Sequence, residues 1–253
     1  MSGGRRLPGR ATFRAYGAFH RDARRFLLTT LIAGAAISLW WIDFNLYLAA
    51  LGLPTATIGL VSAVASLAAG IASVPSGALS DPVGRRLLLA GGLALGAAGL
   101  LLLLASETLG IVFAGASLVA IGSQAFFVVQ APFLTEHSDP GHRNELFAVQ
   151  FAIQNVTNVV AAVLGGIVAT LVAATLGLDQ AGPGTYRLIL VIMLVLLLAA
   201  FASVWLLADA RPRTVVTARI ARSGEPAAFP ADPRRRRSRF GLVVIHRGLF
   251  VRL

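Results

Sequence analysis

Gly77-Ala78-Leu79-Ser80-Asp81-Pro82-Val83-Gly84-Arg85-Arg86 is the stretch whose reading decides the fold. It puts two glycines, an acid, a proline and two arginines within ten residues, between segments that carry no charge. Upstream, no acidic or basic residue occurs from Phe44 to Ser80, a run of 37 residues. Downstream, Leu87 to Ala105 is an uncharged run of 19. About 20 apolar residues suffice to cross a bilayer as a helix. The decapeptide therefore reads as a sharp turn between two membrane spans, on one face of the membrane.

Composition agrees. Of 253 residues, 57% are hydrophobic and only 13% charged, with a mean hydropathy of +0.78. Ordinary soluble domains carry about 25% charged residues. The absence of cysteine removes disulfide and thiolate chemistry. The formal net charge is +11 and all 22 basic residues are arginine. In a soluble protein a pI near 11.7 would suggest nucleic acid. Here the arginines gather in the two tails, which in a membrane protein is a topology signal; nucleic acid is not the expected partner, and the lipid bilayer is.

Six spans follow from the charge-free runs. Residues 1–25 hold seven arginines against one acid, Asp22. The apolar segment from Phe26 to Ala50 is too long for a signal-peptide core and contains Asp43 and Asn45, so it reads as a first membrane helix. Gly52-Leu53-Pro54-Thr55 splits the next run, with Thr55 or Thr57 as the cap of a second span, about Ala56 to Leu79. Leu87 to Ala105 is the third span, and Ser106-Glu107-Thr108 the turn after it. Leu109 to Leu134, Leu146 to Leu178 and Leu188 to Ala208 complete the set. With both tails on one side, 21 of the 22 arginines fall on that side and only Arg187 opposite, as the positive-inside rule requires of the cytoplasm. The expected fold class is therefore all-α, a polytopic six-helix bundle over 26–208 in a cell membrane. It is preceded by a basic segment, 1–25, and followed by an Arg/Pro-rich cytoplasmic tail, 209–253, expected to be disordered or to lie on anionic lipid.

The turn at 77–86 resembles the signature between the second and third helices of the major facilitator superfamily: glycine, three residues, aspartate, a basic residue, any residue, glycine, two basic residues. Gly77, Asp81, Gly84, Arg85 and Arg86 stand at those positions, and Pro82 replaces the usual basic residue. Leu51-Gly52-Leu53-Pro54 before Ile58-Gly59 is similar to the family's approach to the second helix. Ala131-Pro132-Phe133-Leu134-Thr135-Glu136 with Arg143 is similar to its exit from the fourth. The resemblance implies two three-helix repeats in inverted relation, forming one half of the family's fold. It also implies secondary active transport of a small solute by alternating access, with the signature loop as a latch between states. The plainer alternative is a cytoplasmic turn with anchoring arginines.

The resemblance covers 26–208 and stops where a second six-helix half would begin. The expectation is one half of a transporter that works with a second copy or a separate second half. The alternatives are a truncated or frame-shifted product without activity alone, or an interaction or regulatory subunit. Physically, Asp81 before Pro82 is expected to cap the third span, and Arg85 and Arg86 to pair with Asp81 or lipid phosphate.

Asp43 is the one acid well inside a span, about 25 Å along the first helix. Acids at such depth are costly and often carry protons; the other reading is an acid at the outer interface beside an aromatic belt of Trp40, Trp41 and Tyr47. Neutral amides form a second set: Asn45, Gln124, Gln130, Gln150, Gln154 and Asn158. Gln154 and Asn158 share a helix face at i, i+4. Such amides suit either a cavity for a polar substrate or hydrogen bonds between helices. No nucleophile–base pair, phosphate loop or metal cluster is present in the sequence, and His20, His137, His142 and His246 all lie in segments read as cytoplasmic. Neither an enzyme nor a cofactor is expected.

Overall fold

Six long helices, each sufficiently long and apolar to cross a membrane, make up the computed structural model, which describes residues 21–136, 141 and 143–207. The basic segment before residue 21, His137, His142 and the Arg/Pro-rich tail lie outside the described residues. The helices are α1 (Arg21–Ala50), α2 (Thr55–Val83), α3 (Arg85–Ala105), α4 (Leu109–Glu136), α5 (Arg143–Leu176) and α6 (Pro183–Val204). They belong to one of two compact units of the chain, Met1–Pro212. No strand occurs among the described residues.

Several boundaries differ from the sequence reading: α1 begins at Arg21 and not Phe26, α6 at Pro183 and not Leu188, and the turns on either side of α2 are built differently. The second helix does not end at Leu79 but runs through Pro82 to Val83, and the break is a single residue, Gly84, at φ 94°. Asp81 therefore lies inside the last turn of α2 and does not cap α3; the cap position is Gly84, without a side-chain bond. A proline so near a helix end disturbs few hydrogen bonds, whereas a positive φ stops the helix outright and favours glycine. Likewise Pro54, not Thr55 or Thr57, occupies the N-cap of α2, its carbonyl accepting from the N–H groups of Thr57 and Ile58.

The packing carries an internal symmetry. α1 packs on α5 and α6, α4 on α2 and α3, and α3 on α6. Exchanging α1 with α4, α2 with α5 and α3 with α6 maps this pattern onto itself. Since α1 and α4 run in opposite directions through the bundle, the two three-helix units are an inverted repeat. The termini of α3 and α6 show the same exchange. Arg86, in the first turn of α3, donates to the Trp205 carbonyl at the end of α6 (2.8 Å) and lies over the Trp205 ring. Arg187, near the start of α6, donates to the Leu104 carbonyl at the end of α3 (2.6 Å). Each helix thus sends a cation to the negative, carbonyl-bearing end of the other. Arg25 of α1 adds a bond to the Leu206 carbonyl (2.6 Å).

Small residues set the closest approach. A Cβ on Gly122 would collide with the Gly92 carbonyl oxygen and stand 2.7 Å from the Gly96 nitrogen. One on Gly99 would stand 2.6 Å from the Gly115 carbonyl oxygen. The α3–α4 seam is thus a backbone-to-backbone contact, the means by which membrane helices gain packing energy where no hydrophobic drive separates helix from lipid. α1 is the most enclosed span, 67% of its apolar window being buried; α2, at 11%, is the least, and α5 follows at 24%.

Candidate functional site

The open face of the bundle between α1, α2 and α4 holds a cavity of about 320 Å³. Trp40, Trp41, Phe44 and Asn45 line it from α1, Ser62 and Ser66 from α2, and Ser123, Gln124 and Phe127 from α4. Each position follows from local sequence. Ser62 and Ser66 stand at i, i+4 on the exposed α2, with Ala65, Ala69 and Gly70 as the small floor between them. Trp40 stacks on Phe44 at i, i+4, ring centroids 3.9 Å apart. The Ser62 hydroxyl donates to Asn45 Oδ1 (3.2 Å), tying α2 to α1 across the cavity.

Of the amides singled out in the sequence, the structure brings Asn45 and Gln124 together here. Gln154 and Asn158 stand on another side of α1. Ser38 donates to Asn158 Oδ1, Gln154 Nε2 donates to the same oxygen (3.3 Å), and Gln154 also packs on Gly34. These amides are the polar stitching of the α1–α5 seam, with the buried Thr157 beside them. Gln130 is buried within α4, its Nε2 without a partner among the described residues, and Gln150 is half-buried near the start of α5. The sequence reading missed the hydroxyls of Ser62, Ser66 and Ser123 and the aromatic wall. The i, i+4 spacing of Ser62 and Ser66 was the available signal. The aromatic belt is corrected as well: Tyr47 is fully buried and reaches the Leu103 carbonyl (3.5 Å), and Trp40 is buried against Phe44, so only Trp41 is exposed.

Asp43 is buried, 4% exposed. Its carboxylate faces α5: a Cβ on Gly165 would stand 3.1 Å from Oδ2, and Oδ2 has no hydrogen-bond partner among the described residues. A methyl group at 165 would press on both Leu39 Cδ2 (3.0 Å) and the acid, each of which would have to give by a few tenths of an ångström. Next to it, an apolar cleft of about 430 Å³ runs between α1, α5 and α6, lined by Leu39, Ala161, Leu164, Gly165 and Ile189 among others. The acid and the polar cavity thus occupy different faces of one helix.

At the end of the bundle that carries the signature turn, Arg85 Nη2 lies 2.7 Å from Glu136 Oε1, joining the start of α3 to the end of α4. Arg143 closes the same corner by donating to the Thr135 carbonyl (3.2 Å). Among the described residues Arg85 pairs with Glu136 and Arg86 with the Trp205 carbonyl. The side chain of Asp81 lies outside the described residues. Gly77 approaches α4 at Val128 (3.8 Å from a Cβ). At the opposite end Arg187 pairs with Glu107 (3.0 Å).

Six membrane-length helices in an inverted three-plus-three arrangement, with this turn between α2 and α3, can be set against known families. A family model described as Major Facilitator Superfamily matches residues 26–251. The chain belongs to the major facilitator superfamily. Members of this superfamily are membrane transporters rather than enzymes, so this is an integral membrane protein of the transporter type, acting on a small solute in a lipid bilayer. The match runs past residue 208, where the resemblance drawn from the sequence stops. No curated protein matches the chain.

Proposed function

We propose that this major facilitator chain is one half of a secondary transporter that carries its solute by alternating access, with the signature end in the cytoplasm. The observation that carries the reading is the cavity between α1, α2 and α4, on an open face of the bundle. Its amides and hydroxyls run from Asn45 and Ser62, near the α1–α2 turn, to Ser123 and Gln124 in the middle of α4. Transporter sites lie near the midplane at the interface between repeats, and a second half seated on this face would close the cavity. The distribution of arginine supports the orientation. The Arg85–Glu136 pair and the Arg143 contact tie α3, α4 and α5 at that end and act as its latch.

Protons are the coupling ion in this reading, carried by Asp43. A buried carboxylate is stable in apolar surroundings when neutral and costly when charged, so its protonation sets how tightly α5 closes on α1 at Gly165. Because Asp43 and the cavity share α1, movement at one seam is felt at the other without a shared residue. The test is reconstitution in vesicles with a pH gradient and a panel of labelled solutes. Gradient-dependent uptake that Asp43→Asn uncouples supports the reading. Uptake indifferent to the gradient removes proton coupling, and no uptake of any solute by assembled pairs of halves removes transport.

A further inference from the structure

We propose that the cavity between α1, α2 and α4 holds a neutral ring bearing several hydroxyls, of the monosaccharide class; the inference rests on reading that cavity as the substrate face. None of the residues lining it is ionisable, and Asp43, the nearest acid in sequence, turns to α5. A charged solute would enter this half of the site unpaired, at the high cost of an uncompensated charge away from water. Polar groups are present nevertheless, and all are neutral. Asn45 has its carbonyl taken by Ser62 and keeps its two N–H donors. The Ser123 hydroxyl gives its proton to the Val119 carbonyl and keeps its oxygen as an acceptor. Ser66 and Gln124 make no side-chain hydrogen bond to any described residue, so each offers both a donor and an acceptor. Mixed donors and acceptors suit hydroxyls, which both give and take a proton.

The walls add a second constraint. Trp40 and Phe44 are stacked on each other at the wall, and Phe127 and the exposed Trp41 also line the site, so the cavity has aromatic surface to offer. An aromatic face packs against the C–H face of a saturated ring while the ring's edge hydroxyls reach the amides. At about 320 Å³ the part of the site that this chain contributes is already enough for one ring, small-molecule sites spanning about 300–1,000 Å³.

The chain's three tryptophans make the test direct, because two of them line the cavity. The full chain carrying Trp205→Phe, in lipid nanodiscs, is titrated with methyl glucoside, gluconate and protonated glucosamine while emission is followed. Methyl glucoside is expected to give a saturable change, with both charged probes at least tenfold weaker. Asn45→Ala and Ser66→Ala are each expected to weaken it several-fold. Gln124→Glu keeps the side-chain volume and is expected to move the preference toward glucosamine, a gain that a misfolded chain does not produce. Equal or tighter binding of a charged probe, or no saturable response to methyl glucoside, overturns the inference. Uptake of another solute class without methyl glucoside binding removes this inference and leaves the transport reading standing. Methyl glucoside binding without uptake does the reverse.

Discussion

Among the described residues, Asp43 and the Arg85–Glu136 pair hold ionisable groups out of full contact with water. Asp43 sits close against Gly165 of α5, its Oδ2 without a hydrogen-bond partner among the described residues. Asp43→Asn keeps the shape and removes the titration. It is expected to leave folding intact by thermal melting in detergent and to flatten the pH dependence of solute uptake. Gly165→Ala puts a methyl group 3.1 Å from Oδ2 and is expected to disturb the same pH profile while retaining the acid. An Asp43→Asn variant whose uptake kept the parental pH profile would exclude this acid from coupling. At the signature turn, the side chains of Arg85 and Glu136 are 15% and 28% exposed. Exposed pairs contribute about 0.2–1 kcal/mol, and this shielded pair belongs at the top of that range. Arg85→Gln and Glu136→Gln, alone and combined, are expected to show a coupling of about 1 kcal/mol in a double-mutant cycle of thermal stability. Additive effects would mean that the pair latches nothing.

At the scale of the helices, the seam between α3 and α4 makes the firmest demand on sequence. Gly122→Ala drives a methyl group into the backbone of Gly92 and Gly96, and overpacking of this kind costs about 1–3 kcal/mol. Gly91 is one residue away from the seam and has nothing within 4 Å of a built Cβ. Gly91→Ala is expected to be neutral or to gain up to about 1 kcal/mol from helix propensity. Melting temperatures of the two variants in one detergent compare them directly, and equal effects would refute the seam. The spans themselves were legible in the sequence because a charge-free run near bilayer length has few other uses. The end of α2 was misplaced because Asp81-Pro82 reads as a breaker, yet near a helix terminus a proline forfeits little, and the decisive residue was Gly84. The amide face of α5 was legible as a face, since Gln154 and Asn158 are i, i+4. Periodicity says which residues share a face and not which helix that face meets; here it meets Ser38 of α1. The cavity was half-legible for the same reason: Asn45 and Gln124 carried a polar signal, whereas the three serines and the Trp40–Phe44 stack acquire meaning only when three helices converge.

The described helices are organised by an inverted repeat, and two of them leave open faces. α2 and α5 exchange under it, and they are the two spans most open to their surroundings. On α2, Leu60, Val64, Leu67, Ile71 and Val74 are all exposed, spaced three and four residues apart in one straight stripe. On α5, Val156, Val159, Val163, Ile167 and Leu171 form the corresponding exposed surface. If, as proposed, the chain is one half of a transporter and a second copy supplies the other, a two-fold axis along the membrane normal sets the α2 of one copy against the α5 of the other, because an isologous interface pairs each surface twice. The chain has no cysteine, so introduced ones report cleanly. Leu67 lies about as far from the start of α2 as Val163 lies from the end of α5, which places them at similar depth. Copies carrying Leu67→Cys mixed with copies carrying Val163→Cys are expected to form a disulfide dimer in the membrane under mild oxidation. Neither variant alone is expected to do so at a comparable rate, since each would have to meet its own kind across the axis. Equal cross-linking in all three samples would point to random collision in lipid. Cross-linking of neither the mixture nor the single variants would assign the open faces to a separate second half or to lipid.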